Sequence, residues 1–283
     1  MTDDPSRTAE LVCFVRATDQ KQPPDERVLD DPYAPRFLSM LTRVPFATLV
    51  GGLRDSADRL AAGIGHYVLA RHRAIDDALL EALPRVEQVV LLGAGYDSRA
   101  WRFAEAIAQR PVFEVDHPAT SARKARIMEG VEVPDVDRRV VTIDFRHDAL
   151  EDRLGRAGFQ PGAPTFFVWE GVSMYLTRAA VKGTLSGLSA LGGPGSRVAM
   201  DYWYLLDTPD PIGTAHRMSG GLLHLLGEPL TFGIHPEDVG SFMGREGWTV
   251  VDVAGQDELS RRYLPPGRPM YPAVYVVVAE RGQ

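Results

Sequence analysis

The stretch from residue 89 to residue 102, VVLLGAGYDSRAWR, constrains the fold more than any other part of the chain. Four apolar residues lead into Gly93-Ala94-Gly95, and Asp97 or Ser98 can then cap a helix. This order predicts a strand, a tight glycine turn and a helix, an arrangement that favours a nucleotide-like ligand at the C-terminal end of the strand. A dinucleotide fingerprint would have a third glycine where Ser98 stands, which argues against NAD.

Composition is typical of a soluble, unexported protein. The chain has 283 residues, 45% of them hydrophobic, which suits one large domain or a domain with a lid. No apolar run approaches the roughly 20 residues that cross a bilayer, and the N-terminus is acidic. The net charge of -7 argues against nucleic acid as a partner. Cys13 is the single cysteine, and no ligand spacing predicts a metal site. We therefore expect a cytoplasmic protein without a membrane partner.

The first 84 residues predict an N-terminal helical lid. Helices are expected at residues 6–18, near 33–41 and at about 55–83. Arg71 falls within the apolar stripe of the longest helix, where an arginine either pairs with a nearby acid or meets an anion inside the protein. Arg16, close to the lid, could reach a carboxylate of a substrate or cofactor.

Beyond Pro84 short apolar strands alternate with helices, which predicts a doubly wound α/β core over residues 85–283. Candidate strands lie at residues 88–92, 112–115, 140–143, 166–169, 197–201, 249–253 and 273–279. No helix is predicted between the last two strands, so we expect them to pair antiparallel as a hairpin with a long loop. An insertion at about residues 203–235, with aromatic and histidine side chains, is expected to cover the site.

Acidic residues close three successive strands of this pattern. Asp116 closes the second strand, 21 positions after Gly95, where nucleotide-binding sheets place an acid that accepts hydrogen bonds from ribose hydroxyls. Asp144 closes the third strand and Glu170 closes the fourth. Any one of them could instead cap a helix or pair with a loop cation. Because parallel strands end at one edge of a sheet, the three together favour a cofactor site.

These motifs resemble a known family. GAGYDSRAW, EVDHP, IDFR and EGVSMYL, together with ARHRAIDD and the ending GRPMYP, are similar to the leucine carboxyl methyltransferase family of S-adenosylmethionine-dependent enzymes, in particular its bacterial branch. The resemblance extends over nearly the whole chain. It implies a Rossmann-like class I methyltransferase fold with seven strands, an antiparallel last strand and an N-terminal helical lid.

The resemblance also implies S-adenosylmethionine as the cofactor and a set of residues that bind it. They are Arg71 at the methionyl carboxylate, Glu170 near the amine, Gly93, Ala94 and Gly95 along the methionine part, Asp116 at the ribose, and Asp144 with Phe145 at the adenine. Phe145 stands where the family often has leucine, and it leaves the adenine contact possible.

The expected activity is methylation of an oxygen, on a carboxylate of a small molecule or on a hydroxyl. A carboxylate is ionised at neutral pH and needs no general base, whereas a phenol benefits from one. Tyr175, Tyr204 and His224 are candidates for the acceptor pocket, with His224 or His235 as a base for a hydroxyl. The alternatives are an NAD-dependent oxidoreductase on a similar sheet and a cofactor-binding protein without turnover. The oligomeric state stays open.

Overall fold

Seven strands form one mixed sheet in the computed structural model, which describes residues 7–38, 56–145, 147–204 and 230–282. The strands are β1 (Gln88–Leu92), β2 (Val112–Asp116), β3 (Arg138–Thr142), β4 (Thr165–Trp169), β5 (Arg197–Trp203), β6 (Trp248–Ala254) and β7 (Val274–Arg281). Their order across the sheet is β3-β2-β1-β4-β5-β7-β6. β1 to β5 pair in parallel, and β7 is antiparallel to both of its neighbours. The predicted doubly wound sheet with an antiparallel last strand is confirmed.

Helices cover both faces of the sheet. In chain order they are α1 (Arg7–Asp19), α2 (Ser56–Ala82), α3 (Arg99–Arg102), α4 (Ala104–Ile107), α5 (Pro118–Met128), α6 (Leu150–Arg156), α7 (Arg178–Leu191), α8 (Pro236–Gly244) and α9 (Gln256–Tyr263). Within the predicted helix at 33–41, the described residues form a 3₁₀ turn, Ala34–Phe37. No helix in the described ranges is long and apolar enough to cross a membrane.

All seven predicted strands are present, but one expectation about their connections is wrong. β6 and β7 do pair antiparallel, yet α9 lies between them, and β7 inserts between β5 and β6. The helix lacks an apolar stripe because Leu259 is its buried residue, while Glu258 pairs with Arg261 and Arg262 on the exposed side. β3 also begins at Arg138, two residues before the predicted start.

The sheet separates two apolar layers. On one face Val90 and Leu92 of β1 pack in a cluster that includes residues of α6, α7 and α8. On the other face Val89 and Leu91 pack in a cluster with α2 and α9. A parallel strand that is buried on both faces is a continuous apolar run, which is why β1 was recognisable in the sequence. α2 therefore belongs to the packing of the core and extends past the edge where the parallel strands end.

Candidate functional site

The glycine turn follows β1 as predicted. Gly93 and Gly95 have φ values of +65° and +46°, in the left-handed region that glycine adopts without strain. A Cβ on Gly93 would also come within 2.6 Å of Cγ2 of Val172, so the turn leaves no space for a side chain there. Of the two predicted caps, Ser98 occupies the N-cap position but makes no side-chain cap hydrogen bond, and Oδ1 of Asp97 accepts a hydrogen bond from the Arg99 amide at 2.7 Å.

Asp116 ties the end of β2 to this turn. Its Oδ2 accepts a hydrogen bond from the Gly95 amide, and its Oδ1 accepts one from the His117 amide at 2.6 Å. Burial raises the pKa of Asp116, and the two backbone hydrogen bonds oppose that effect. Each carboxylate oxygen retains a further lone pair, so the group can still accept hydrogen bonds from a pair of hydroxyls.

A cavity of about 320 Å³ opens beside Asp116. Its walls include Gly95, Thr142 of β3 and Pro118 of α5. The end of β3 is adjacent, because the Ile143 amide donates to the carbonyl of Asp116 at 3.0 Å. Asp144 and Phe145, the predicted adenine residues, follow directly.

The ring of Phe145 is 57% exposed. An aromatic face that meets solvent is a surface on which a planar base can stack. The backbone of Asp144 is held from its own loop, since its amide donates to Oδ2 of Asp148 at 2.9 Å.

Arg71 of α2 is brought to the same edge and is 4% exposed. Its Nε donates to Oε1 of Glu170 at 2.9 Å, and its Nη1 donates to Oδ2 of Asp201 at 2.9 Å. The sequence left open a local acid or an internal anion, and the structure gives two internal carboxylates that are distant along the chain. Burial opposes the charge of Arg71, but Asp201 and then Glu170 raise the pKa of its guanidinium above the ordinary value.

Glu170 follows β4 and accepts from several donors. In addition to Arg71, Nη2 of Arg99 donates to its Oε2 at 2.7 Å, and Nδ1 of His72 lies 3.0 Å from a carboxylate oxygen. Burial alone would raise the pKa of Glu170, but the hydrogen bond with His72 and the charges of Arg99 and Arg71 hold it well below the ordinary value. The predicted cofactor residues Arg71 and Glu170 are therefore in direct contact, as are Gly95 and Asp116.

A further layer of charges lies behind Glu170. Asp76 accepts from Nε of Arg99 at 2.6 Å and from Nη2 of Arg102 at 2.7 Å, while Asp97 accepts from Nη1 of Arg99. We call the charged residues at this edge the arginine cluster: Arg71, Arg99, Arg102, Asp76, Asp97, Glu170 and Asp201. Burial disfavours the protonated form of the adjacent His72 and lowers its pKa. With His72 neutral, the cluster carries one negative charge in excess.

Sequence reasoning did not predict Asp201 as a site residue, nor Asp76, Arg99 and Arg102, and Asp201 is the one of these four that contacts Arg71. It lies on β5 within RVAMDYW and is fully buried. Its Oδ2 accepts from Tyr67 as well as Arg71, at 3.0 Å and 2.9 Å, and its Oδ1 accepts from the Gly171 amide at 2.6 Å. A carboxylate inside a buried strand needs such partners, and that was the signal available in the sequence.

α1 lies against the glycine turn. A Cβ on Gly95 would be 3.8 Å from that of Ala9, and Glu10 forms an ion pair with Arg123 of α5. Arg16, which was expected to be able to reach a carboxylate of a ligand, is paired within the protein. Its Nη1 donates to Asp31 and its Nη2 donates to the carbonyl of residue 96, both at 2.9 Å, so it joins the N-terminal segment to the turn.

The predicted acceptor residues lie on neighbouring loops, except for His224, which is outside the described residues. Tyr175 ends a 3₁₀ turn, Ser173–Tyr175, and Tyr204 follows β5. Residues 230–235 contact both loops. The amide of Thr231 donates to the carbonyl of Met174 at 2.8 Å, and the amide of Ile234 donates to the carbonyl of Trp203 at 3.0 Å.

Aromatic contacts surround Tyr204. Its ring centroid lies 5.2 Å from that of His235 and 6.0 Å from that of Tyr275. Burial raises the pKa of Tyr204, so its phenol is protonated at neutral pH. It can donate a hydrogen bond but does not provide a base.

Comparison with known proteins identifies the family of this chain. A sequence model described as leucine carboxyl methyltransferase matches residues 9–189, which include the glycine turn, Asp116 and Glu170. The chain belongs to the leucine carboxyl methyltransferase family. Relatives in this family carry provisional assignments as S-adenosyl-L-methionine-dependent methyltransferases.

Two of these relatives are bacterial. A protein of Parafrankia sp. is 36% identical over 198 residues, which are 69% of this chain and 62% of that protein. A protein of Mycolicibacterium smegmatis is 30% identical over 273 residues, which are 91% of this chain and 88% of that protein. The chain thus spans less than two thirds of the first relative and most of the second.

The fold is that of class I S-adenosylmethionine-dependent methyltransferases. The crystal structure of a provisionally assigned methyltransferase from Thermobifida fusca superimposes with a TM-score of 0.56 at 17% sequence identity. The superposition covers 84% of this chain and 93% of that structure.

Proposed function

We propose that this protein transfers the methyl group of S-adenosylmethionine to a carboxylate oxygen of a small molecule. The observation that carries the proposal is the placement of Arg71. Nε and Nη1 are held by Glu170 and Asp201, whereas Nη2 makes no hydrogen bond within the described part of the chain. A buried guanidinium held on two sides, with one amino group left over, is suited to bind the carboxylate of an amino acid.

The remaining residues fit the rest of the cofactor. S-adenosylmethionine has a net positive charge, and the arginine cluster has one excess negative charge to complement it. We assign Glu170 to the cofactor amine, Asp116 to the ribose and Asp144 with Phe145 to the adenine. The turn of Gly93, Ala94 and Gly95 then passes the methionine part, where a side chain would obstruct a close approach.

When bound, the cofactor supplies a methyl group on a positively charged sulfur. A lone pair of the acceptor oxygen forms the new C–O bond while the C–S bond breaks and its electrons remain on sulfur. The task of the protein is to align oxygen, methyl and sulfur and to exclude water. Arg71 and Asp116 hold the two ends of the cofactor, and the loops of Tyr175 and Tyr204 are positioned to hold the acceptor.

The protonated phenol of Tyr204, beside the proposed acceptor site, favours a carboxylate as the acceptor. Carboxylic acids, with a pKa of about 4, are ionised at neutral pH and transfer no proton during methylation. Tyr204 is protonated and can donate a hydrogen bond to such an acceptor. A hydroxyl acceptor is the second candidate, and the contact between His235 and Tyr204 supports it by placing an imidazole in this region.

We further propose that residues 1–84 close over the cofactor through α1, while α2 contributes Arg71, and that residues 203–235 cover the acceptor. The support for the first part is the contact of α1 with the glycine turn and with α5. We place the protein in the cytoplasm, where small-molecule acids and the cofactor are both present. Membership of a methyltransferase family argues against the NAD-dependent alternative.

The test begins with calorimetric titration of S-adenosylhomocysteine, and of NAD beside it. Micromolar binding of the first alone is expected, and binding of neither by folded protein would refute the proposal. Purified protein is then incubated with methyl-labelled cofactor and a panel of carboxylic acids and phenols. Methyl esters release volatile methanol in mild base and aryl ethers do not, so the product identifies the acceptor class. His235→Ala should preserve ester formation, whereas aryl-ether formation that is lost in His235→Ala would favour the hydroxyl candidate.

A further inference from the structure

Asp201 joins three parts of the fold at the ligand edge of the sheet. It lies near the end of β5, its side chain is fully buried, and it accepts hydrogen bonds from α2 and from the loop after β4. The donors are Tyr67, Arg71 and the amide of Gly171. Each of its oxygens is therefore satisfied, and the carboxylate is fixed in one orientation.

This orientation determines the orientation of Arg71. Glu170 binds the Nε edge of the guanidinium, and Asp201 binds Nη1 from β5. A planar group bound at two positions by carboxylates from different parts of the chain cannot rotate about its terminal bonds without losing a charge-assisted hydrogen bond. Nη2 is consequently left in a fixed position, and the arrangement exists before any ligand binds.

We propose that Asp201 is a positioning residue that orients Arg71 to receive the carboxylate of the cofactor, and that Tyr67 holds Asp201 in place. The inference rests on the proposed function, since it requires Arg71 to bind that carboxylate. Asp201 itself touches neither the cofactor nor the acceptor. Its influence is therefore confined to ligands that carry the amino-acid end.

The deciding experiment compares two ligands of the same adenosine site. S-adenosylhomocysteine has the amino-acid end, and 5′-methylthioadenosine lacks it. Asp201→Asn keeps an oxygen for the Gly171 amide but removes the charge that faces Arg71. By calorimetry we expect the affinity for S-adenosylhomocysteine to fall at least about tenfold, with a change of less than about twofold for 5′-methylthioadenosine.

A second variant keeps the test sound if Asp201→Asn fails to fold. Tyr67→Phe removes the hydroxyl that donates to Asp201 and preserves the ring. It should lower the affinity for S-adenosylhomocysteine by about two- to fivefold without affecting the affinity for 5′-methylthioadenosine. Asp19→Asn is the matched control, because Asp19 is buried and accepts from the amides of Val28 and Leu29. It should leave the ratio of the two affinities unchanged.

The outcomes separate the two proposals. Equal losses for both ligands in Asp201→Asn or Tyr67→Phe would make Asp201 a structural residue and overturn the inference. Unchanged affinity for both would do the same. In the background of Arg71→Lys, Asp201→Asn should cause little further loss of affinity for S-adenosylhomocysteine. If the losses in binding free energy from the two substitutions simply added, that would also contradict the inference. Wild-type protein that binds neither ligand would instead refute the proposed function.

Discussion

Replacing Arg71 by methionine should lower the free energy of unfolding by about 3–5 kcal/mol, the range found when one partner of a buried ion pair is removed. The side chain of Arg71 is 5% exposed, and those of its partners Glu170 and Asp201 are 9% and 0% exposed. Solvent therefore cannot replace the lost cation. Methionine fills a similar volume, so the loss reports the uncompensated charge more than a cavity.

The two carboxylates should contribute unequally to this loss of stability. Glu170 retains Arg99 and His72, but among the described residues Asp201 retains only the Gly171 amide and the hydroxyl of Tyr67, both uncharged. At least half of the destabilisation should therefore come from Asp201. Adding Asp201→Asn to Arg71→Met should restore roughly half of the lost stability, because the unpaired charge is then gone.

Urea unfolding followed by far-ultraviolet circular dichroism measures the free energy of unfolding of the single and the double variant. An unchanged dependence of this free energy on urea concentration would show that the transitions are comparable. The expected change in Tm is a decrease of about 6–20 °C. Arg73→Met is the matched control, since Arg73 is 48% exposed and pairs with Asp77 one turn away. Such a pair contributes at most about 0.5 kcal/mol. A loss below about 1 kcal/mol for Arg71→Met, or a double variant less stable than the single one, would refute the reasoning.

Three other perturbations test separate parts of the site. Phe145→Ala should weaken S-adenosylhomocysteine by about 1 kcal/mol, or roughly fivefold by calorimetry, and an unchanged affinity would exclude stacking of the adenine on this ring. Glu10→Gln breaks the ion pair with Arg123 and should speed release of S-adenosylhomocysteine by about 1.5- to 5-fold in stopped-flow measurements, unless α1 has no part in closure. The pKa of His72 is lowered from 6.5, first by burial and then by Arg99. Below pH 6.5 the unfolded chain binds a proton that the folded chain excludes, so stability falls as the pH drops, and His72→Gln should reduce that slope in thermal unfolding. An identical slope in the variant would assign the pH dependence to other groups.

The sequence predicts the centre of the sheet well because β1 and β4 are buried on both faces. A short, continuous apolar run such as β4, TFFVW, has few other interpretations when helical patterns flank it. α9 was not predicted because it is two turns long and Leu259 is its buried residue, while most of its other residues are polar or charged. Its formation depends on packing against α2 and β6, which no local pattern encodes.

Some residues of the site can likewise be predicted from local sequence, and others cannot. Gly95 and Asp116 are predictable because their spacing reflects a strand-turn-helix-strand unit in which local order fixes the contact. Arg71 is recognisable as a buried cation, but its carboxylate partners lie 99 and 130 residues away. The pairing is set by the order of β1, β4 and β5 in the sheet. Asp201 is therefore visible in the sequence only as a charge in an apolar strand.

The arginine cluster is better explained by binding than by stability. Buried ion pairs contribute little net stability, and well-packed apolar residues of similar volume often stabilise a fold as much or more. Here buried arginines and carboxylates lie together at the edge of the sheet where the parallel strands end. Groups that are already oriented lose little conformational freedom when a charged ligand binds, because the entropy cost of ordering them is incurred during folding. A zwitterionic ligand with a further positive charge benefits most from such a site, because the cluster supplies a fixed guanidinium and one excess negative charge.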